Sequence, residues 1–146
     1  MATFKAVDLN YKALHMGGYG NCVVAWGAVT PTTGALNDVY IPLVIPGGLE
    51  VTDVDVVFSD MDTGSAMAVK VGYAPVNAAD GPVANDSYFQ SANTFISGTG
   101  GPKKLGFRPI KFEKPVFLTF TVSTAATTFA SAELIAIVKG DGLGIK

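Results

Sequence analysis

Between residues 51 and 73 the chain reads VTDVDVVFSDMDTGSAMAVKVGY, with apolar residues at every second position on both sides of a break rich in Asp and Gly. Val54, Val56 and Phe58 alternate with Asp55 and Ser59, and Val69, Val71 and Tyr73 alternate with Ala68, Lys70 and Gly72. A period of two sends neighbouring side chains to opposite faces of a pleated strand, so this pattern requires a sheet with one buried and one wet face. The same punctuation covers most of the chain. Strands are expected over residues 21–30, 38–44, 51–59, 66–73, 106–113, 116–124 and 131–139, separated by Gly, Pro, Asn and Asp. Pro31 to Gly34 suit a turn, and Pro42 is tolerable chiefly on an edge. Asp86 is placed to cap one short helix, since Phe89, Ala92, Phe95 and Ile96 recur at helical spacing. SGTGGP at 97–102 reads as flexible connection.

With 146 residues the chain is the size of one domain, able to bury roughly 68–70% of its unfolded surface. The expected class is all-β: an antiparallel, jelly-roll-like β-sandwich with one short helical insertion. Its organisation divides into an irregular N-terminal arm (1–20), the sandwich (21–139) and a glycine-rich tail (140–146) that orders when a partner holds it. Phe4, Val7, Leu9, Tyr11, Leu14 and Tyr19 give the arm apolar character. Such an arm either reaches to a neighbour or lies across its own sandwich.

A hydrophobic share of 49% and a mean hydropathy of +0.37 are high, yet no apolar run approaches the roughly 20 residues of a membrane helix. No membrane partner is expected, and the apolar surplus goes into a core and into contacts with other chains. The first twenty residues lack the apolar stretch and cleavage site of a secretory signal, which points to synthesis in the cytoplasm. Cys22 and Trp26 lie in the apolar run CVVAW, where a buried thiol and a core indole are the expected roles.

The net charge is only −2, but the signs are segregated. Asp38, Glu50, Asp53, Asp55, Asp60, Asp62, Asp80 and Asp86 share the middle of the chain with Lys70, whereas Lys103, Lys104, Arg108, Lys111 and Lys114 are accompanied by Glu113. This asymmetry fits either docking to a charged surface or solvated strand faces. A pI near 5.2 argues against direct nucleic-acid binding, and Phe112 beside Lys111 reads more simply as a core residue than as a base-stacking platform.

Few chemistries survive inspection. His15 is the only histidine and sits in the arm, with no nucleophile motif to accompany it. One histidine and one cysteine fall short of a usual zinc site. GGYG at 17–20 and GTGG at 98–101 lack the ending and the strand–helix context of phosphate loops. Asp60 and Asp62 in FSDMDTG match two positions of a calcium loop, but TGSAMA brings neither a third carboxylate nor a closing glutamate. They read as caps of a turn joining two paired strands in a hairpin. No enzyme, metal or cofactor is expected.

The order of motifs is more specific. NDV entering a strand at 37–39, IPGG at 45–48, VTDVDVVFSDMDTG at 51–64, VGYAP at 71–75 and the paired aromatics of 86–96 resemble small β-sandwich capsid decoration, or cement, proteins of tailed bacteriophages. That resemblance implies a non-enzymatic protein of the virion, made in the host cytoplasm. It would bind major capsid protein on the outer capsid surface as a homo-oligomer, trimer favoured and dimer possible, and bridge neighbouring capsomers. Contacts are then expected from Phe4, Tyr11, Leu14 and Tyr19 of the arm, with Lys103, Lys104 and Arg108 as electrostatic docking residues. One rival is a phage fibre or receptor-binding head that binds glycans. The other is a calcium-dependent glycan hydrolase centred on Asp60 and Asp62.

Overall fold

A computed structural model describes residues 1–5, 22–98 and 100–144. Eleven strands run through them, and no helix is present among the described residues. They are β1 (Thr3–Lys5), β2 (Cys22–Val29), β3 (Val39–Ile41), β4 (Val44–Ile45), β5 (Leu49–Phe58), β6 (Ala68–Pro75), β7 (Asn85–Asn93), β8 (Gly101–Leu105), β9 (Ile110–Phe112), β10 (Val116–Thr124) and β11 (Leu134–Gly142). One sheet has the order β2-β11-β5-β8, with β9 also on β5; the other has β1-β3-β10-β6-β7, with β4 also on β10. Apart from β1, which runs parallel to β3, the pairings are antiparallel.

This is the two-sheet jelly roll expected from the punctuation. The chain passes from sheet to sheet, so that β2 near the start is closed by β11 near the end, with Val29 opposite Leu134. The core lies between the sheets. One side supplies Val23, Val29, Leu49, Val51, Val54, Val56, Leu134, Ala136 and Val138; the other supplies Tyr40, Ile45, Val69, Val71, Val116, Leu118, Phe120 and Val122. Val54, Val56 and Phe58 of β5 and Val69, Val71 and Tyr73 of β6 point inward as the alternation requires, Val116, Leu118, Phe120 and Val122 of β10 do the same, and Phe112 is buried as expected. In β5 the alternation breaks once: Thr52 and Asp53 both face outward, where the register with β11 shifts between Lys139 and Gly140. That bulge turns Val51 and Leu49 back toward the core.

Several expectations need correction. Residues 86–96 are not a helix, because β7 hydrogen-bonds alongside β6 and satisfies its backbone there. Phe89 is buried from that strand, Ala92 is exposed, and Phe95 and Ile96 follow in a turn that Asn93 closes by accepting the Phe95 N–H at 3.0 Å. Asp86, expected as a cap, pairs across the strands with Lys70 at 3.0 Å. The expected flexible stretch at 97–102 ends in β8, and the 38–44 strand is split, Pro42 and Leu43 lying between β3 and β4. β5 and β6 form no hairpin, since they belong to different sheets.

Cys22 and Trp26 are exposed, Trp26 by 53%. Strand parity explains this: Val23, Gly27 and Val29 face the core, which turns Cys22, Val24 and Trp26 outward. The segments expected as arm and tail are partly built in. Thr3–Lys5 is β1, and β11 runs through Gly140 to Gly142.

At Gly27 the backbone of β2 lies close against the break between β3 and β4 of the other sheet. A Cβ there would lie 2.2 Å from the Pro42 carbonyl oxygen and 2.9 Å from Leu43 Cβ. Gly27→Ala is therefore expected to destabilise the fold by about 1–3 kcal/mol, read by urea denaturation, because backbone must move to admit the methyl. An unchanged midpoint would show that the β3–β4 break yields freely.

Candidate functional site

The FSDMDTG segment forms the crossing from β5 in one sheet to β6 in the other. Asp62 is fully buried there. Its Oδ1 accepts the N–H groups of Gly64 at 3.1 Å and Thr128 at 2.8 Å; its Oδ2 accepts those of Ala66 at 2.9 Å and Met67 at 2.8 Å. Asp60 Oδ1 accepts the N–H of Asp62 at 3.0 Å and of Gly98 at 3.0 Å. Backbone bonds complete the knot: Met61 N–H to the Ile96 carbonyl at 3.0 Å, and Ala130 N–H to the Met61 carbonyl at 3.0 Å. Three segments distant in sequence are thus tied by two carboxylates.

Burial by itself would raise the Asp62 carboxyl, but donors from Thr128, Ala66, Met67 and Thr127 outweigh it and hold the group far below the ordinary carboxylate range. Both oxygens are saturated by backbone donors, which a cation would have to displace. The arrangement is that of a structural corner. The Asp38 carboxyl repeats the device at the start of β3. It accepts the Ala2 N–H at 2.7 Å, the Thr33 hydroxyl at 2.7 Å and the Ala35 N–H at 3.0 Å, so that it stays low despite burial.

Of the residues expected to make contacts, Phe4 packs on Tyr40 in register across β1 and β3, with ring centroids 5.8 Å apart. Tyr11, Leu14 and Tyr19 lie outside the described residues, as does His15. Lys104 projects from the outer face of β8 and pairs with Asp53 at 2.9 Å. Lys103 takes the opposite parity beside Val56, and Arg108 is exposed in the β8–β9 loop, its carbonyl accepting the Tyr88 hydroxyl at 2.9 Å. The three bases therefore share one edge and its loop, but not one face.

The segregated charges meet within the fold. Lys139 bonds to Asp55 and lies 3.5 Å from Asp53, which also takes Lys104. Hydrogen bonding to Asp55 raises the Lys139 ammonium, and hydrogen bonding from Lys104 lowers the Asp53 carboxyl. Lys114 pairs with Asp80 at 2.8 Å and Lys111 with Glu113 at 2.9 Å. Such exposed pairs contribute little to stability, typically 0–1 kcal/mol. They nonetheless account for much of the acidic-middle, basic-end asymmetry within one chain.

The sequence reading missed the outer face of the β2-β11-β5-β8 sheet. Register aligns Ala28, Ile135, Val57 and Pro102 in one row, Trp26, Ile137, Asp55 and Lys104 in the next, and Val24, Lys139 and Asp53 in a third. One end of this face is apolar and the other ionic. Parity counted outward from Gly27 was the available signal. At one end of the sandwich a cleft of about 320 Å³ opens over Tyr73, Ile110 and Phe112, rimmed by the Lys114–Asp80 and Lys111–Glu113 pairs. Its ionisable lining groups are Tyr73, Asp80, Lys111, Glu113 and Lys114, and the four charged ones are engaged in those two pairs.

No family model matches the sequence, and no curated protein does. Solved structures do match in fold. A chain in the capsid of Ralstonia phage GP4 superposes with a TM-score of 0.78 at 18% identity, covering 99% of this chain and 100% of that one. A chain of the cyanophage Pam1 capsid asymmetric unit gives a TM-score of 0.65 at 21% identity over 90% of this chain and 94% of that one. A chain of the acid-stable capsid of Helicobacter pylori bacteriophage KHP30 gives 0.57 at 14% identity, covering 82% and 86%. The protein has a fold that recurs in chains of phage capsid structures.

Proposed function

We propose that this protein is a non-enzymatic component of a phage virion that binds the outer surface of the capsid shell and bridges neighbouring capsomers. The observation that carries this reading is the match of fold over 99% of this chain and the whole of a chain in the GP4 capsid. The apolar rows on an outer sheet face agree with it, because a surface of that kind suits contact with another protein. Major capsid protein is the partner, and the protein acts as a homo-oligomer whose repeated weak contacts hold by avidity on a symmetric lattice.

Co-sedimentation with shells stripped of the protein tests this. Saturation at a copy number set by the shell's symmetry is expected, and absence of binding would overturn the proposal. Lys103→Glu combined with Arg108→Glu is expected to weaken binding roughly tenfold at low salt and to flatten its salt dependence. Lys104 is left in place, since it is paired with Asp53. Unchanged binding by the double variant would take these two bases out of the docking surface.

One observation favours a second reading. Trp26, expected in the core, stands on an outer face beside polar groups, as an aromatic platform for sugar rings would. Binding on a glycan array that Trp26→Ala abolishes would select the receptor-binding alternative.

A further inference from the structure

Val83 is 88% exposed and Val76 43%, and Ala78, Ala79 and Ala84 of the same loop are exposed too. These residues belong to the connection from β6 to β7, VNAADGPVA, whose one charged side chain, Asp80, pairs with Lys114 at 2.8 Å. Single exposed apolar residues are ordinary, but five in one short loop concentrate apolar surface in water at one end of the sandwich. Pro82 continues that surface into the cleft of about 320 Å³, which it lines together with Tyr73 and Ile110.

The loop has a fixed shape before any partner arrives. Asn77 Oδ1 accepts the Ala79 N–H at 3.0 Å, and the Asn77 carbonyl accepts the N–H groups of Gly81 at 2.9 Å and Asp80 at 3.3 Å. Val76 donates its N–H to the Pro115 carbonyl at 3.2 Å, so the loop is tied to the β9–β10 connection both there and through the Asp80–Lys114 pair. Gly81 fits closely, since a Cβ on it would lie 2.3 Å from Pro75 Cβ. A loop held in this way loses little conformational freedom on docking.

Resting on the capsid-surface reading above, we propose that this loop and its cleft seat the protein on the shell, and that the partner is an apolar, uncharged stretch of major capsid protein. The chemistry of the partner follows from charge. Asp80 is matched by Lys114 and Lys111 by Glu113, so an opposing charge has nothing left here to neutralise. The size of the surface selects the shell over a second copy. The loop and the cleft beside it fall well short of the roughly 20–30 residues a side that a stable pair of chains uses. On a lattice, an oligomer carrying several such loops engages them together, and small contacts then suffice.

Co-sedimentation of the full chain with stripped shells, repeated across salt concentrations, tests the proposal. Val76→Ser combined with Val83→Ser is expected to weaken binding roughly tenfold at every salt concentration. Its thermal midpoint and light-scattering mass should match wild type, because both side chains are exposed in the free protein. Val83→Ile should bind as wild type does. The unchanged salt slope separates this contact from that of Lys103 and Arg108, whose reversal flattens it. Shell binding by the double serine variant equal to wild type would overturn the proposal and leave the capsid reading standing, whereas a wild-type chain that ignores shells would overturn both. A double variant of smaller mass in solution would put a second copy on this surface and overturn the shell as its partner.

Discussion

Asp62→Asn is expected to lower the thermal midpoint by roughly 10 °C at neutral pH, more than any other exchange of near-identical shape in this chain. The carboxylate accepts two N–H groups at each oxygen. An amide at the same place keeps one oxygen but aims its own N–H₂ at two backbone donors, leaving both buried and unsatisfied. The affected donors belong to the β5–β6 crossing or to the 127–130 segment, so the loss is felt in both sheets.

The pH dependence carries a second signature of the same group. Asp62 is depressed in the folded protein relative to its ordinary value of 3.8, and Asp38 is depressed as well. A lowered folded pKa contributes stability that is present above the unfolded value and lost as pH falls through the folded one. Wild-type stability should therefore hold down to about pH 4 and decline below it. The Asn variant, less stable at pH 7, should decline less steeply across that acid range. Parallel acid profiles for the two proteins, or a neutral midpoint within about 2 °C of wild type, would show that the corner does not depend on the charge.

Phe89→Ala is expected to cost about 3–5 kcal/mol, the range for emptying a buried aromatic site. Phe89 is 1% exposed, and its ring meets Phe107 edge-on at 4.7 Å, Tyr88 at 5.3 Å and Tyr73 at 6.4 Å. These rings hold the irregular β7 edge against the β8–β9 loop, which shares few ladder bonds with the rest. Urea denaturation should show a lower midpoint with an unchanged slope, the mark of lost stability without a looser native state. Tyr88→Phe in the same cluster removes only the hydroxyl bond to the Arg108 carbonyl and should stay within about 1 kcal/mol. If Phe89→Ala were equally mild, the cluster would have to collapse around the gap with little penalty.

How legible these features were in the sequence follows from how local their causes are. β5, β6 and β10 were readable because alternation along one strand reports its two faces: the inward positions there are buried, apart from Tyr73, which is half-buried against the core. β7 was misread because Phe89, Phe95 and Ile96 fit helical spacing, while the backbone partner that makes the segment a strand, β6, lies elsewhere in the chain. Trp26 and Cys22 were misplaced for a related reason. An unbroken apolar run does not disclose its parity, and the outer face of an edge strand looks in sequence like a core strand.

The Asp60–Asp62 corner divides the two kinds of information most sharply. Turn chemistry in SDMDTG is local, since each Asp side chain accepts the backbone N–H two residues ahead, and Gly64 sits close against Thr127 where a side chain would not fit. The sequence by itself determined that the chain turns there, that its strands have one buried face, and that these strands form a two-sheet all-β domain. Whether the turn folds back as a hairpin or crosses to the other sheet was decided only in the tertiary structure. The donor that completes the Asp62 carboxylate comes from Thr128, 66 residues away, and the strand that closes β2 begins at Leu134. Local residue chemistry specifies where backbone groups need partners. Only packing of the whole chain determines which distant segments provide them.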